Sequence, residues 1–161
     1  MGSALQLHVS LRHTDVWRRL QVAQSGTFHD LHLAIQEAFG WRDAHLYAFS
    51  RGADYLAFHP SVGASTLHGT KVKLYRHLGR RDLACKYEYD FGDWWVLDVR
   101  VEEIGEAKDD ILVLEAHKSA PPEGCGGVPG YERLVEFCES GVDPWGEKAE
   151  GLRAWIGEWQ P

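Results

Sequence analysis

Apolar and polar residues alternate at the start of the chain: Leu5, Leu7, Val9 and Leu11 are separated by Gln6, His8 and Ser10, with Arg12 following. A period of two marks a strand with one buried face. His13-Thr14-Asp15 supplies a polar turn. Val16, Leu20 and Val22 then share a face against Trp17, Arg19 and Gln21, so an antiparallel hairpin is expected. The period changes after Thr27, whose hydroxyl can cap free amides at a helix start. Phe28, Leu31, Ile35 and Phe39 recur at helical spacing, and Gly40 is a natural stop. Residues 45–50 read as a third strand, 51–70 as a long connection with room for one short strand, and 71–74 as a short strand.

The strongest alternation follows. Cys85, Tyr87, Tyr89 and Phe91 interleave with Lys86, Glu88 and Asp90. Beyond Gly92-Asp93-Trp94, the residues Trp95, Leu97, Val99 and Val101 interleave with Val96, Asp98 and Arg100. Two long strands joined by a glycine-containing turn make a hairpin. Residues 111–116 add a strand after the polar stretch 105–110. The prolines and glycines of 120–130 dictate a loop. A helix then places Tyr131, Leu134, Val135 and Cys138 on one face, and a last helix does the same for Leu152, Trp155, Ile156 and Trp159. No repeat or linker divides residues 1–161, so a single domain is expected.

Composition narrows the function classes. A hydrophobic fraction of 44% fits a folded protein, and seven Trp imply a core or a recognition surface rich in large rings. The net charge of -7 argues against nucleic-acid binding by the chain alone, because phosphate contacts need a basic face. Three cysteines, none in CxxC spacing, favour free thiols in a reducing cytoplasm. No secretory signal is visible, and no apolar run reaches the roughly 20 residues of a membrane helix.

Four constellations carry candidate chemistry. Asp90-Phe91-Gly92 matches the magnesium-binding tripeptide of protein kinases, yet the chain has no Gly-rich loop, no His-Arg-Asp segment and too few residues for that fold. The plainer reading gives Gly92 the turn and makes the aspartates amide caps; the functional one sets Asp90 and Asp93 as carboxylates beside an aromatic platform. Gly126-Gly127 before a helix can form an anion-binding nest of backbone amides, but it lacks the Lys and Ser/Thr of a nucleotide loop, and no cofactor fingerprint is evident. His29 and His32 lie three apart on the first helix, with His45 beyond it; they are candidate metal ligands or solvated helix-face residues. Trp17-Arg18-Arg19 suits stacking or carboxylate capture, or a salt bridge to the acidic hairpin. Cys125, beside glycines, is the candidate reactive thiol, and Cys138 reads as core.

These residues fall in a familiar order. Trp17-Arg18-Arg19, the run from Leu31 to Gln36, Phe39-Gly40-Trp41, His45-Leu46, Tyr89 to Asp93, Pro121-Pro122-Glu123 with Cys125-Gly126-Gly127, and Gly130-Tyr131-Glu132 together resemble the plasmid pRiA4b ORF-3-like family. The resemblance runs from about Leu5 to the last helix. It implies an α+β fold: a mixed, mainly antiparallel sheet starting ββα, with C-terminal helices packed on it. It implies association with plasmids and transposons but no activity. Some relatives carry resolvase labels, a chemistry needing a serine within an arginine cluster, which this chain does not display. Many relatives have Cys at the position of Ala120 and His at that of Leu97, so a metal or redox site using those positions is not expected here.

The favoured reading is therefore a non-enzymatic module for protein partners. Its expected polar cleft holds Asp90, Asp93, Glu123, His45 and Arg19, its aromatic surface Trp41, Trp94 and Tyr131, and its anion nest Gly126 and Gly127. The first alternative is a hydrolase or nuclease-like accessory in which Asp90 and Asp93, with His32 or His45, hold a divalent cation; hard oxygen ligands favour magnesium, calcium or manganese. The second is a DNA-associated accessory working through partners.

Overall fold

A computed structural model describes residues 2–63, 67–106 and 111–161. Its elements run β1 (Ser3–Leu11), β2 (Trp17–Ala23), α1 (Phe28–Phe39), β3 (Tyr47–Arg51), β4 (Asp54–Phe58), α2 (Tyr75–Leu78), β5 (Ala84–Tyr89), β6 (Trp95–Glu106), β7 (Ile111–His117), α3 (Gly127–Ser140) and α4 (Ala149–Ile156). The seven strands form one sheet in the order β4-β3-β5-β6-β1-β2-β7. Every pairing between these strands is antiparallel; among the described residues the isolated Phe58–His68 bridge is parallel. The fold is α+β, opens ββα and carries α3 and α4 at its C-terminal end.

Alternation in the sequence becomes sidedness in the sheet. Leu5, Leu7, Val9 and Leu11 of β1, Leu20 and Val22 of β2, and Trp95, Leu97, Val99 and Val101 of β6 are all buried. They share one core cluster with Phe28, Leu31, Ile35 and Phe39 of α1. Helix α1 is bounded as its termini dictate. The Thr27 hydroxyl accepts from the Asp30 amide, the Asp30 carboxylate accepts from the Thr27 amide, and Gly40 closes the helix at φ 71°.

The structure revises several local expectations. Residues 71–74 contribute only the Thr27–Lys73 bridge before α2, not a strand. Phe91 is exposed rather than continuing the buried face of β5, because the strand stops at Tyr89 and Asp90 turns into the left-handed region at φ 60°. Trp94 is left-handed as well, at φ 55°, so Asp90 and Trp94 shape the turn where Gly92 was expected to. Helix α3 begins at Gly127, earlier than expected, and its buried face is Tyr131, Leu134 and Phe137, leaving Cys138 exposed. Trp155 is also exposed, and Trp159 lies beyond α4, its indole donating to the Ala120 carbonyl. The polar stretch 105–110 is taken up in part by β6, while 107–110 lie outside the described residues.

Candidate functional site

Three irregular segments meet at one end of the sheet: the 41–46 loop after α1, the 90–94 turn between β5 and β6, and the 121–127 loop before α3. The turn is organised by Asp90, whose Oδ1 accepts from the amides of Gly92 at 3.0 Å and Asp93 at 3.3 Å. Its Oδ2 lies 3.4 Å from His45 Nε2, and its own amide donates to the Leu46 carbonyl. The turn is joined to the glycine loop by Asp93, whose Oδ2 accepts from the Gly126 amide at 3.1 Å. Approach is so close that a Cβ on Gly127 would overlap the Asp93 carbonyl; Gly127 and Gly126 are also left-handed, at φ 68° and 103°. Of the amides expected to form a nest at Gly126-Gly127, that of Gly126 is taken by an anion of the chain's own, the Asp93 carboxylate, placed where the α3 dipole favours negative charge.

Glu123 ties the other two segments. It accepts a short hydrogen bond from the Tyr89 hydroxyl and a second, at 2.9 Å, from the Arg42 amide. The Tyr89 oxygen in turn accepts from the Ala44 amide at 3.0 Å. Beneath them the Trp41 indole donates to the Pro121 carbonyl and stacks between Tyr89 and Trp95 at centroid distances of 5.3 and 5.6 Å.

His32 is wholly buried, not a solvated helix-face residue. It belongs to a closed ring of hydrogen bonds. Gln36 Nε2 donates to the Tyr87 oxygen at 3.0 Å, and Tyr87 OH lies 2.7 Å from His32 Nδ1. His32 Nε2 lies 2.6 Å from Asp43 Oδ1, and the Asp43 amide returns to Gln36 Oε1 at 2.8 Å. One set of protons satisfies every member: Tyr87 donates to Nδ1, and a neutral His32 donates from Nε2. Burial lowers the His32 pKa to about 4, against the opposing pull of Asp43. The ring clamps Asp43, itself at φ 54°, to α1 and β5, and so fixes the 41–46 loop. His29 and His59 flank it, with ring centroids 5.4 and 6.1 Å from that of His32.

Asp90, Asp93, His45 and Glu123 thus line one seam, and each of the three carboxylates has one oxygen engaged by backbone amides. Arg19 is not among them. It lies on the solvent side of β2, pairing with Glu102 at 3.0 Å and Glu115 at 2.6 Å over the Trp17 ring. Trp41 and Tyr131, expected on the aromatic surface, are 5% and 9% exposed; each faces the core because its neighbouring segment is tied down. Trp94 is 59% exposed. Two further exposed rings lie near the glycine loop, one of them, Trp155, expected on the apolar face of the last helix. Trp145 lies in the loop between α3 and α4, within van der Waals reach of a Cβ built on Gly126, and Trp155 lines a cavity of about 330 Å³ with Arg133, Leu134, Glu147 and Leu152. Trp145 follows Pro144 outside any periodic run, so no pattern announced it. Cys125 is buried and its thiol is pushed up to about 12 by desolvation, which removes the nucleophile expected there. Among the described residues no three His, Cys, Asp or Glu side chains are grouped so as to hold a metal ion, His32, His45, Asp90 and Asp93 included. Nor does any helix among them have the length and apolarity to cross a membrane.

Comparison with known proteins agrees with this architecture. The chain is similar to the uncharacterized protein y4hQ of Sinorhizobium fredii, at 32% identity over 98% of this chain and 82% of that one. It is similar in structure to a protein of unknown function, MM3350, from Methanosarcina mazei, with a TM-score of 0.81 and 30% identity over 97% of this chain and 90% of the other. A model of the family described as plasmid pRiA4b ORF-3-like protein matches residues 3–161, and the chain belongs to that family.

Proposed function

We propose that this chain is a binding module that presents Phe91 and Trp94, carried on the turn, and Trp145, packed beside the glycine loop joined to it, to a protein partner. The observation that carries this reading is the Asp93–Gly126 hydrogen bond, which holds the turn against the glycine loop while Phe91 and Trp94 on the turn, and Trp145 beside the loop, stay exposed. Exposed large rings on a rigid support are the usual anchors of interfaces, and truncating such an anchor costs about 2 kcal/mol or more, some 30-fold in affinity. An enzyme needs polar groups free to touch a substrate. Here the carboxylates of Asp90 and Asp93 cap amides, which supports a structural role over cation binding. The net charge of -7 likewise favours contact with DNA, if any, through a partner.

Affinity capture from producing cells, followed by reconstitution with purified components, tests the proposal. The wild type should retain a partner that Trp94→Ala/Trp145→Ala loses while keeping its far-ultraviolet spectrum. Equal capture by both proteins would overturn it. So would manganese-dependent cleavage of bis(p-nitrophenyl) phosphate abolished by Asp90→Asn/Asp93→Asn, which would instead establish the hydrolase alternative.

A further inference from the structure

Charge is unevenly distributed in this chain. Residues 120–161 hold eight Asp and Glu against three Lys and Arg, a local charge of -5 within the total of -7. Two of the three cations are already committed. Arg133 is bound by Asp143 at 2.6 Å and Glu147 at 2.9 Å with its guanidinium 4.3 Å from the Trp145 ring, and the Arg153 guanidinium lies 5.5 Å from the Phe137 ring. The segment thus twice sets a guanidinium over an aromatic face. A third ring, Trp155, is 51% exposed at the cavity between α3, α4 and the glycine loop, and among the described residues no cation stands over it. Glu147, also largely exposed, lines the same cavity together with Arg133; because Arg133 is shared between Asp143 and Glu147, the two carboxylates leave one negative charge in surplus there. At about 330 Å³ the space lies at the low end of ligand pockets, roughly 300–1,000 Å³, and suits one long side chain rather than a large ligand.

We infer that the partner of this module presents a cationic segment, and that one of its arginines enters the α3–α4 cavity over Trp155 with its guanidinium paired to Glu147. This rests on the binding-module reading and adds the chemistry of the partner. Arginine fits better than lysine because its planar guanidinium stacks on a ring and binds a carboxylate at the same time. A diffuse acidic surface alone would attract any polycation weakly and lose it in salt; the ring and carboxylate at one cavity give the contact a defined place.

The test uses three fluorescein-labelled decapeptides, alternating Arg-Gly, Glu-Gly and Gly-Ser, titrated by anisotropy at about 0.15 M salt. The wild type should bind the Arg-Gly peptide and neither of the others. Trp155→Ala and Glu147→Gln should each weaken that binding about fivefold or more, the equivalent of roughly 1 kcal/mol for a cation–π or charge-assisted contact. Trp155→Phe should restore part of the loss. Glu147→Gln serves as the second arm because it keeps the shape of the side chain and removes its charge, while Arg133 retains its pair with Asp143. The inference fails if the wild type binds Arg-Gly no better than Gly-Ser, or if both single variants bind like the wild type. Failure here, with partner capture still dependent on Trp94 and Trp145, would remove the cationic segment and leave the module.

Discussion

Acid should loosen this protein through His32, by an amount the structure allows one to work out. In the folded chain the imidazole is wholly buried, its Nδ1 faces the Tyr87 hydroxyl and its Nε2 faces Asp43. A proton on Nδ1 forces Tyr87 to accept from His32 and from Gln36 together, which leaves the Tyr87 hydrogen without its acceptor and opens the ring. Burial accordingly holds the folded-state pKa near 4, against 6.5 for an unperturbed histidine. Between those values the unfolded chain binds the extra proton and the folded chain does not, so stability is full above about pH 6.5 and falls as the pH drops towards 4. At 1.36 kcal/mol per unit the loss from this one residue is about 3 kcal/mol, a large part of a typical stability of about 5–15 kcal/mol. Urea unfolding at intervals from pH 7.5 to 4, on His59→Gln and on His59→Gln/His32→Gln, isolates it. His8 and His77 are also lowered by burial but lie away from the ring and contribute to both proteins alike; His59, which shares Asp43 with His32, is replaced by Gln in both proteins of the comparison. The protein that keeps His32 should lose about 3 kcal/mol more than the double variant over this range. Parallel curves would refute the neutral, ring-bound His32.

Other perturbations probe the seam and the core. Gly127→Ala should lower stability by about 1–3 kcal/mol in denaturant unfolding, because its Cβ would overlap the Asp93 carbonyl and its φ of 68° strains a side chain; an unchanged midpoint would mean the turn and loop do not touch. Leu97→Ala removes a fully buried side chain and should cost about 2–5 kcal/mol; a loss under about half a kcal/mol would place that face in solvent. In the native protein at pH 8, Ellman's reagent should modify Cys138 quickly and Cys85 and Cys125 slowly, since burial pushes both of those thiols up to about 12, and three thiols should appear on unfolding; rapid reaction of Cys125 would contradict its buried position.

The parts legible in the sequence were those governed by a period. Strands β1, β2, β5 and β6 and helix α1 declare themselves because one face of each is apolar over several repeats, and Thr27 and Gly40 mark the ends of α1 by local hydrogen bonding and φ alone. Where tertiary contact decides, the sequence is silent. Nothing in Gln36, Asp43 or Tyr87 taken singly says that they close a ring on His32. The turn at 90–94 uses two non-glycine residues with positive φ, held there by the Asp90 carboxylate and by the docked glycine loop, while the glycine that suggested the turn has ordinary φ. The start of α3 was hidden by glycines and Pro129, which are poor helix formers but tolerated in a first turn, and the docking of the helix turns Phe137 inward in place of Cys138. Resemblance carried the family assignment and the fold, and left the surface proposed for recognition to be read in three dimensions.

Hydrogen exchange of the chain with and without its reconstituted partner bears most directly on the binding-module account. Protection is predicted in 90–94, 124–127 and 141–157, the segments carrying Trp94, the glycine loop, Trp145 and Trp155, with the amides of β1 and β2 unchanged. Protection confined to β7 or to the Arg19 side of the sheet, with those three segments exchanging as in the free chain, would contradict it.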